Sequence, residues 1–400
     1  MVTAEEELTK TRPSRTRAAA VAVAALLLAA VNLRLAVTSI GPVLSEIRSG
    51  LGMSSTVAGL LTSIPAFCFA LLGLAAPRLA RRFGPARVII VGLAVLAGGL
   101  ALRAYAGNTV LFLLLTVVSL AGIAVVNVLL PMVVKQEFPT QVGTMTGLYT
   151  VALNLGATLA AAATVPLTNA FGGDWRLGLA CWAVLAVIAL PAWIPLAREH
   201  HDAAAQPARH TLVRVSRHPV AWALAVYFGL QSTSAYVIIG WLPQIYRDAG
   251  LSADEAGLLF ASTSLLGVPL GFALSAVAGR LRSQSMIAAV LAVFGVAGYL
   301  GLWWDPAAAP WLWAILLGVV NTAFPLVLTM IGLRGSTPAT VVRLSAFAQG
   351  VGYLIAIPGP ILVGVLHDHT DGWRAPLALM IALMIPQGIA GVAAGRNRQV

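Results

Sequence analysis

Apolar stretches of about 20 residues, separated by short polar segments, run through the whole sequence. A helix of that length rises about 30 Å at 1.5 Å per residue, which matches the hydrocarbon core of a bilayer. Twelve such stretches lie near residues 18–43, 56–77, 88–106, 110–133, 142–167, 176–196, 219–243, 255–278, 286–304, 310–332, 343–366 and 375–394. The pattern predicts an all-α membrane protein with 12 transmembrane helices.

Three local patterns recur in the same order about 200 residues apart. SSTVAGLL at 54–61 returns as SADEAGLL at 252–259, VVNVLLP at 125–131 as VVNTAFP at 319–325, and Trp175-Arg176 as Trp373-Arg374. One match could arise by chance between apolar segments, but three in register favour a true repeat. Six spans separate each pair, so both copies have the same orientation. We expect two six-helix bundles in a parallel repeat, with a solute site between them near the midplane.

The basic residues divide the chain and orient it. They gather in a tail at 1–17, a linker at 197–218, a tail at 395–400 and alternate short loops, which leaves bundles at 18–196 and 219–394. Basic loops favour the cytoplasm, so we expect both termini there, in a bacterial inner membrane. The first apolar run lacks a small-residue cleavage pattern, so we expect that helix to be retained.

Composition and charge narrow the function classes. The net charge of +11 could indicate a nucleic-acid partner, but the arginines lie between spans rather than on a basic face with aromatic residues. Cys68 and Cys181 both lie in apolar stretches, which argues against a disulfide framework. The sequence has no P-loop, metal-ligand cluster or catalytic triad spacing. We therefore expect no cofactor, no metal, no nucleic acid and no enzymatic activity.

Arg34 lies inside the first predicted span, where an arginine is costly. It either faces a wet cavity or snorkels to the outer interface, as its off-centre position permits. No Asp or Glu lies deep in a span to pair with it, which favours the cavity. A free guanidinium in a cavity is a planar, bidentate receptor for an anion or a carbonyl group. Its neighbours Asn32 and Thr38 join it as candidates.

Two polar stripes occupy corresponding spans of the two halves. Thr146, Thr150 and Asn154 share one helix face, and Ser345, Gln349 and Tyr353 repeat that spacing 199 residues later. The stripes could line a central cavity, or their hydroxyl groups could simply bond back to their own helix. Asn127 and Asn321 could equally line the cavity or join helices. The candidate substrate-binding residues are Arg34, Asn32, Thr38, Asn127, Tyr149, Thr150, Asn154, Gln231, Tyr236, Asn321, Ser345, Gln349 and Tyr353.

Several segments together resemble one known family. They are NLR at 32–34, GLLTSIP at 59–65, APRLARRFG at 76–84, VNVLLP at 126–131, TGLYT at 146–150, GLQS at 229–232, WLP at 241–243 and LSAFAQGVGYL at 344–354. These resemble the cyanate permease and 2-nitroimidazole transporter branch of the major facilitator superfamily. The resemblance implies alternating access and substrates that are small anions or compact polar heterocycles, with or without a co-transported proton. It also implies a cytoplasmic gate loop at Arg78, Arg81 and Arg82, although Arg81 stands where the superfamily pattern has an acidic residue.

These residues are compatible with three functions. The favoured one is a monomeric secondary or facilitative transporter of a small anionic or polar solute, with Arg34 as principal ligand. The alternative is an exporter of neutral drugs or metabolites in which Arg34 is structural; cation export is disfavoured because no carboxylate lies deep in a span. A membrane-embedded receptor or enzyme would call for an added soluble domain or an intramembrane His/Asp/Glu constellation, and the sequence has neither.

Overall fold

The computed structural model describes residues 3–72, 75–199 and 215–400, and these residues form helices and no strands. The helices are α1 (Thr3–Thr38), α2 (Leu44–Leu51), α3 (Ser55–Leu72), α4 (Ala76–Phe83), α5 (Pro85–Arg103), α6 (Thr109–Glu137), α7 (Val142–Ala170), α8 (Trp175–Ala180), α9 (Trp182–Glu199), α10 (Pro219–Asp248), α11 (Ala253–Arg280), α12 (Ser285–Trp304), α13 (Pro310–Asn321), α14 (Ala323–Arg334), α15 (Pro338–Ala356), α16 (Pro358–Thr370) and α17 (Arg374–Gly395). Short 3₁₀ turns at Gly41–Val43 and Val215–Arg217 complete them. The centre of the predicted linker, residues 200–214, lies outside the described residues.

Twelve segments are long and apolar enough to cross a membrane, which confirms the predicted number of spans. Eight spans are single helices, and α4 lies between the second and third spans. Each of the other four spans consists of two successive helices: α1 and α2, α8 and α9, α13 and α14, and α15 and α16. We call the membrane face where α10 and α12 begin and α17 ends the terminal face, and the opposite one the distal face.

Prolines explain two breaks that the predicted spans did not mark. In the tenth span α13 ends at Asn321, and Pro325 has no N–H to donate to the Asn321 carbonyl oxygen. In the eleventh span α15 ends at Ala356 and α16 begins at Pro358. The equivalent Pro131 of the fourth span lies within the uninterrupted α6. These two proline-associated breaks both lie in the second half, near the middle of their spans.

The helix contacts show how the two halves meet. α7 of the first half packs along α11 of the second, and α3 packs along α15 and α16. The fifth span thus pairs with the eighth, and the second with the eleventh, as a two-fold relation between bundles requires. The first and seventh spans lie between these pairs, so residues on their inner faces are positioned for a shared site.

Glycine lets α1 and α7 pack closely. A methyl group on Gly156 would overlap the carbonyl oxygen of Val31, whereas one on Gly98 would meet nothing within 4 Å. Gly156→Ala is expected to destabilise the first half by about 1 to 3 kcal/mol through overpacking. Gly98→Ala, the matched control, should be neutral or slightly stabilising, since alanine favours a helix interior. Thermal unfolding in detergent measures both, and equal midpoints would contradict the expected close packing.

Candidate functional site

Arg34 lies one turn before the end of α1 and points toward the second half. Its Cζ lies 5.7 Å from the ring centroid of Phe324. The hydroxyl groups of Tyr236 and Tyr353 lie within electrostatic range of the guanidinium. The side chain is partly exposed, and no hydrogen-bond acceptor or carboxylate among the described residues binds it. The structure therefore places a charged, accessible donor fork between the halves rather than at the distal headgroups.

Aromatic rings from four spans form a continuous cluster beside this guanidinium. Phe324 packs against Phe228 with ring centroids 5.4 Å apart, and Phe228 meets Tyr353 edge to face at 5.0 Å. Tyr353 stacks on Phe69 of the first half at 5.3 Å. Tyr236 packs against the apolar core that contains Phe228 and Tyr353. We call Phe69, Phe228, Tyr236, Phe324 and Tyr353 the aromatic cluster. Arg34 and the cluster form an apolar, π-rich site with one positive charge.

Three predicted site residues have their polar groups bound elsewhere. The Asn32 amide donates to the carbonyl oxygens of Leu28 at 2.8 Å and Leu185 at 3.2 Å, which joins the first and sixth spans. The Thr38 hydroxyl donates to the Arg34 carbonyl oxygen at 2.9 Å. Gln231 is fully buried, and its side-chain oxygen accepts from Gln387 of α17 at 2.7 Å. The structure does not bring these polar groups to the Arg34 guanidinium.

The two polar stripes differ in what they reach. The Thr150 hydroxyl donates to the Thr146 carbonyl oxygen at 2.8 Å, and the Asn154 amide to the Thr150 carbonyl oxygen at 2.9 Å. This stripe lies along the seam between halves, because the Asn154 side-chain oxygen faces Gly267 of α11. In the second stripe the Gln349 amide donates to the Ser345 hydroxyl at 2.7 Å. Only Tyr353 of the two stripes joins the aromatic cluster.

The other candidates are dispersed. Tyr149 is half-buried against the larger of the two apolar cores, and Asn127 is half-buried in α6. The side-chain oxygen of Asn321 is buried without a partner among the described residues, at the break of the tenth span. Arg78, Arg81 and Arg82 are exposed on α4, where Arg82 lies over the Phe83 ring. The sequence pattern therefore identified polar residues without fixing which way each one points.

A polar contact joins the halves at the distal face, where Asp368 caps a helix of the other half. Its carboxylate accepts from the backbone N–H groups of Ser55 at 2.8 Å and Thr56 at 2.6 Å, and from the Thr56 hydroxyl at 2.7 Å. These N–H groups lie at the start of α3, where they have no partner within the helix. His367 adds a bond between its Nδ1 and the Ser55 hydroxyl at 3.0 Å. We call Asp368, His367, Ser55 and Thr56 the distal latch.

An ion pair lies beside the distal latch. Arg247 of α10 binds both carboxylate oxygens of Glu46 of α2 at 2.8 Å and also donates to the Pro42 carbonyl oxygen at 3.3 Å. Nearer the midplane, the Ser63 hydroxyl donates to the Ile357 carbonyl oxygen at 2.8 Å. Among the described residues, every hydrogen bond between the two halves lies in the region between the midplane and the distal face. The halves are therefore fastened on that side.

Sequence reasoning missed the phenylalanines of the aromatic cluster and the distal latch. A phenylalanine in an apolar span gives no signal, because lipid-facing rings look the same in sequence. The latch had a weak signal in the polar pair His367-Asp368 at the end of the eleventh span. The pairing partner of that carboxylate, a helix N-terminus 312 residues away, could not be inferred from local sequence.

Two similar bundles of membrane-spanning helices, with a charged site between them, are typical of a polytopic transport protein. Residues 26–356 match the family model of the Major Facilitator Superfamily. The chain belongs to this superfamily, as its sequence resemblance predicted, and it is a transporter rather than an enzyme. Among the described residues no group of His, Cys, Asp and Glu side chains could hold a metal ion.

Similar proteins agree in class and differ in substrate. The chain is 37% identical to the uncharacterized transporter YycB of Bacillus subtilis, covering 93% of this chain and 92% of that protein. It is 36% identical to the 2-nitroimidazole transporter of Escherichia coli, covering 95% and 96%. It is 34% identical to the cyanate transport protein CynX of Escherichia coli, covering 90% and 94%.

Solved structures show the same fold. A bacterial homologue of the human lysosomal transporter Spinster superposes with a TM-score of 0.76 at 15% identity, covering 94% of this chain and 95% of that one. At that identity the likeness establishes the arrangement of helices and nothing about the solute.

Proposed function

We propose that this chain carries a small anionic or compact polar solute between its two halves, with Arg34 as the principal ligand. The observation that carries the proposal is the Arg34 guanidinium, which has no carboxylate partner among the described residues and lies beside the aromatic cluster. In a low-dielectric site a free guanidinium favours a planar group with two acceptor oxygens or nitrogens. The relatives named for 2-nitroimidazole and cyanate transport are consistent with such a solute.

Alternating access is the proposed mechanism, and the polar contacts support it. Because the halves are fastened from the midplane to the distal face, the site would communicate with the terminal face in this conformation. Transport would then require the distal latch and the Glu46–Arg247 pair to open while the terminal side closes. The prolines at the breaks of the tenth and eleventh spans are suited to such bending, since they interrupt the helix ladder beside the site.

The proposed orientation follows from the basic loops. Lysines and arginines gather at the terminal face, so we assign that face to the cytoplasm and both chain ends with it, in a bacterial inner membrane. The conformation would then face inward. We further propose that the transporter acts as a monomer. A co-transported proton would have to travel on the solute or on a distal-face carboxylate.

Transport assays in proteoliposomes test the solute class. The panel is cyanate, nitrate, small carboxylates and nitroimidazoles, each measured by counterflow at imposed pH gradients. We expect counterflow with at least one planar anion or heterocycle, and a dependence on the pH gradient only if a proton is coupled. If neutral and cationic compounds are carried and no member of the panel is, the proposal is wrong.

An exporter of neutral compounds is the second candidate, because the Phe324 ring alone could stabilise Arg34. In that case Arg34 would fix the halves relative to each other and would not touch the solute. Substitution of Arg34 would then alter transport of all solutes equally and change protein stability. A solute-binding Arg34 predicts selective loss for anions.

The Phe324 ring is expected to position the guanidinium for the solute. Removing a cation–π contact costs about 0.5 to 2 kcal/mol. Phe324→Leu should therefore raise the KM for the transported solute about three- to ten-fold, whereas Phe324→Tyr keeps a ring and should stay within about two-fold. Initial uptake rates over a range of solute concentrations measure this. An unchanged KM in Phe324→Leu would remove the ring from the proposed site.

A further inference from the structure

We propose that a groove between α12 and α17 binds an anionic glycerophospholipid of the terminal-face leaflet, with its phosphate at Arg396. The groove has a volume of about 530 Å³ and is lined by apolar side chains except at one end, where Arg396 lies. It is separate from the Arg34 site, since α12 and α17 contribute nothing to the aromatic cluster. The proposal depends only on the chain being embedded in a membrane.

Small residues make the groove. Ala289 and Ala292 on α12 and Gly388 and Ala393 on α17 leave room between the helices, which approach closely enough that a methyl group on Gly388 would lie 3.0 Å from Ala292. The larger side chains of Val293, Ile385 and Ile389 are exposed along its sides. The result is a channel with apolar walls that opens toward the lipid and suits a hydrocarbon chain.

The depth of the groove matches one leaflet. Its lining begins near Ile385 and ends at Arg396, eleven residues further along α17 and just past the end of that helix. Eleven residues rise about 16 Å, and one leaflet contributes about 15 Å of hydrocarbon. An acyl chain that enters at the terminal face would therefore fill the groove and leave its headgroup beside the arginine.

Several arginines lie around the mouth of the groove. The Ser283 hydroxyl and the Gln284 N–H both donate to the Gly395 carbonyl oxygen, at 3.0 and 2.9 Å, which holds the loop that carries Arg280 and Arg282 against the end of α17. Arg280, Arg282, Arg396 and Arg398 are all exposed. From residue 215 onward, where the structure describes every residue, all acidic side chains lie toward the distal face. A negatively charged headgroup is the complementary ligand.

A nearby arginine, Arg334, has a different role from Arg396. Arg334 is buried and donates to the carbonyl oxygens of Ala394 and Gly395 and to the side chain of Gln284. Its donors satisfy the end of α17, where helix carbonyls lack partners. Arg396 is therefore free to bind a phosphate, because the end of the helix is already capped.

Native mass spectrometry tests the site with purified protein and added phosphatidylglycerol or phosphatidylcholine. Wild-type protein should retain one phosphatidylglycerol in preference to phosphatidylcholine. Arg396→Gln should weaken phosphatidylglycerol binding about five-fold, as expected for one basic residue at a membrane surface, and should reduce the preference. The matched control is Arg217→Gln, which removes an exposed arginine of the same face that does not line the groove, and it should bind as wild type does.

A second variant fills the groove and keeps every arginine. Ala289→Leu combined with Ala393→Leu should weaken binding of both lipids about ten-fold. Thermal midpoints with and without lipid identify variants that fail to fold; if the double variant fails, the Arg396 and Arg217 pair decides alone. Equal losses in Arg396→Gln and Arg217→Gln would show general surface attraction and overturn the proposal. Full retention of lipid by a folded, groove-filled protein would also overturn it, as would a stable dimer formed in place of lipid binding.

Discussion

Arg34→Gln is expected to lower the initial transport rate of an anionic solute about 100-fold at subsaturating concentration. Removing one partner from a desolvated charge pair costs about 2 to 5 kcal/mol, because the remaining charge stays in the site without a counter-charge. Arg34→Lys keeps the charge but loses the planar fork, so its rate should fall only about ten-fold. Counterflow in proteoliposomes at matched protein density measures both rates.

Arg176→Gln is the matched control for that substitution. Arg176 also lies over an aromatic ring, with its Cζ 4.3 Å from the centroid of Trp175, but it stands at the distal end of the sixth span, away from the aromatic cluster. Its loss should leave transport within about two-fold of wild type. Wild-type counterflow of an anion by a correctly inserted Arg34→Gln protein would remove Arg34 as the principal ligand.

Arg34 could be singled out from sequence because a charge inside an apolar span stands out against a uniform background. Asn32 and Gln231 stood out as uncharged polar residues in apolar spans, yet they bind Leu185 and Gln387 inside their own halves. Polarity shows that a side chain needs a partner, but the rotation of each helix decides which partner it meets. That rotation depends on packing across the whole bundle, and local sequence does not contain it.

The number of spans was predictable because the thickness of the bilayer sets the length of a spanning helix. The repeat indicated that the two halves have the same orientation. The helix breaks could not be predicted, although their prolines were visible in the sequence. Pro325 accompanies a break in the tenth span, whereas the equivalent Pro131 lies within an uninterrupted α6. Whether a membrane helix tolerates a proline depends on which neighbouring groups satisfy the freed carbonyl.

Asp368→Ala is expected to shift the conformational equilibrium about ten-fold toward a distal-open state. The carboxylate accepts two backbone N–H groups and one hydroxyl at the start of α3, and replacing an N-cap by alanine costs about 0.5 to 2 kcal/mol. The cost applies to the closed state, because water can reach those groups once the halves separate. The reporter is a Thr38→Cys substitution in a protein whose Cys68 and Cys181 have been replaced. Position 38 is buried in the closed state, so the rate at which an impermeant maleimide labels this cysteine measures opening of the distal face.

Two further variants separate the distal latch from general charge effects. Glu46→Gln breaks an ion pair whose side chains are 31% and 23% exposed, for Glu46 and Arg247 respectively. Such pairs contribute about 0 to 1 kcal/mol, so labelling should rise less than five-fold. Asp305→Ala removes an acid that caps only its own loop, through the Ala307 N–H at 2.8 Å, and should not change labelling. Because the Asp368 bonds end on a helix of the other half, their loss must favour separation of the bundles. If the cysteine at position 38 is labelled no faster in Asp368→Ala than in Asp305→Ala, the latch does not hold the distal face closed.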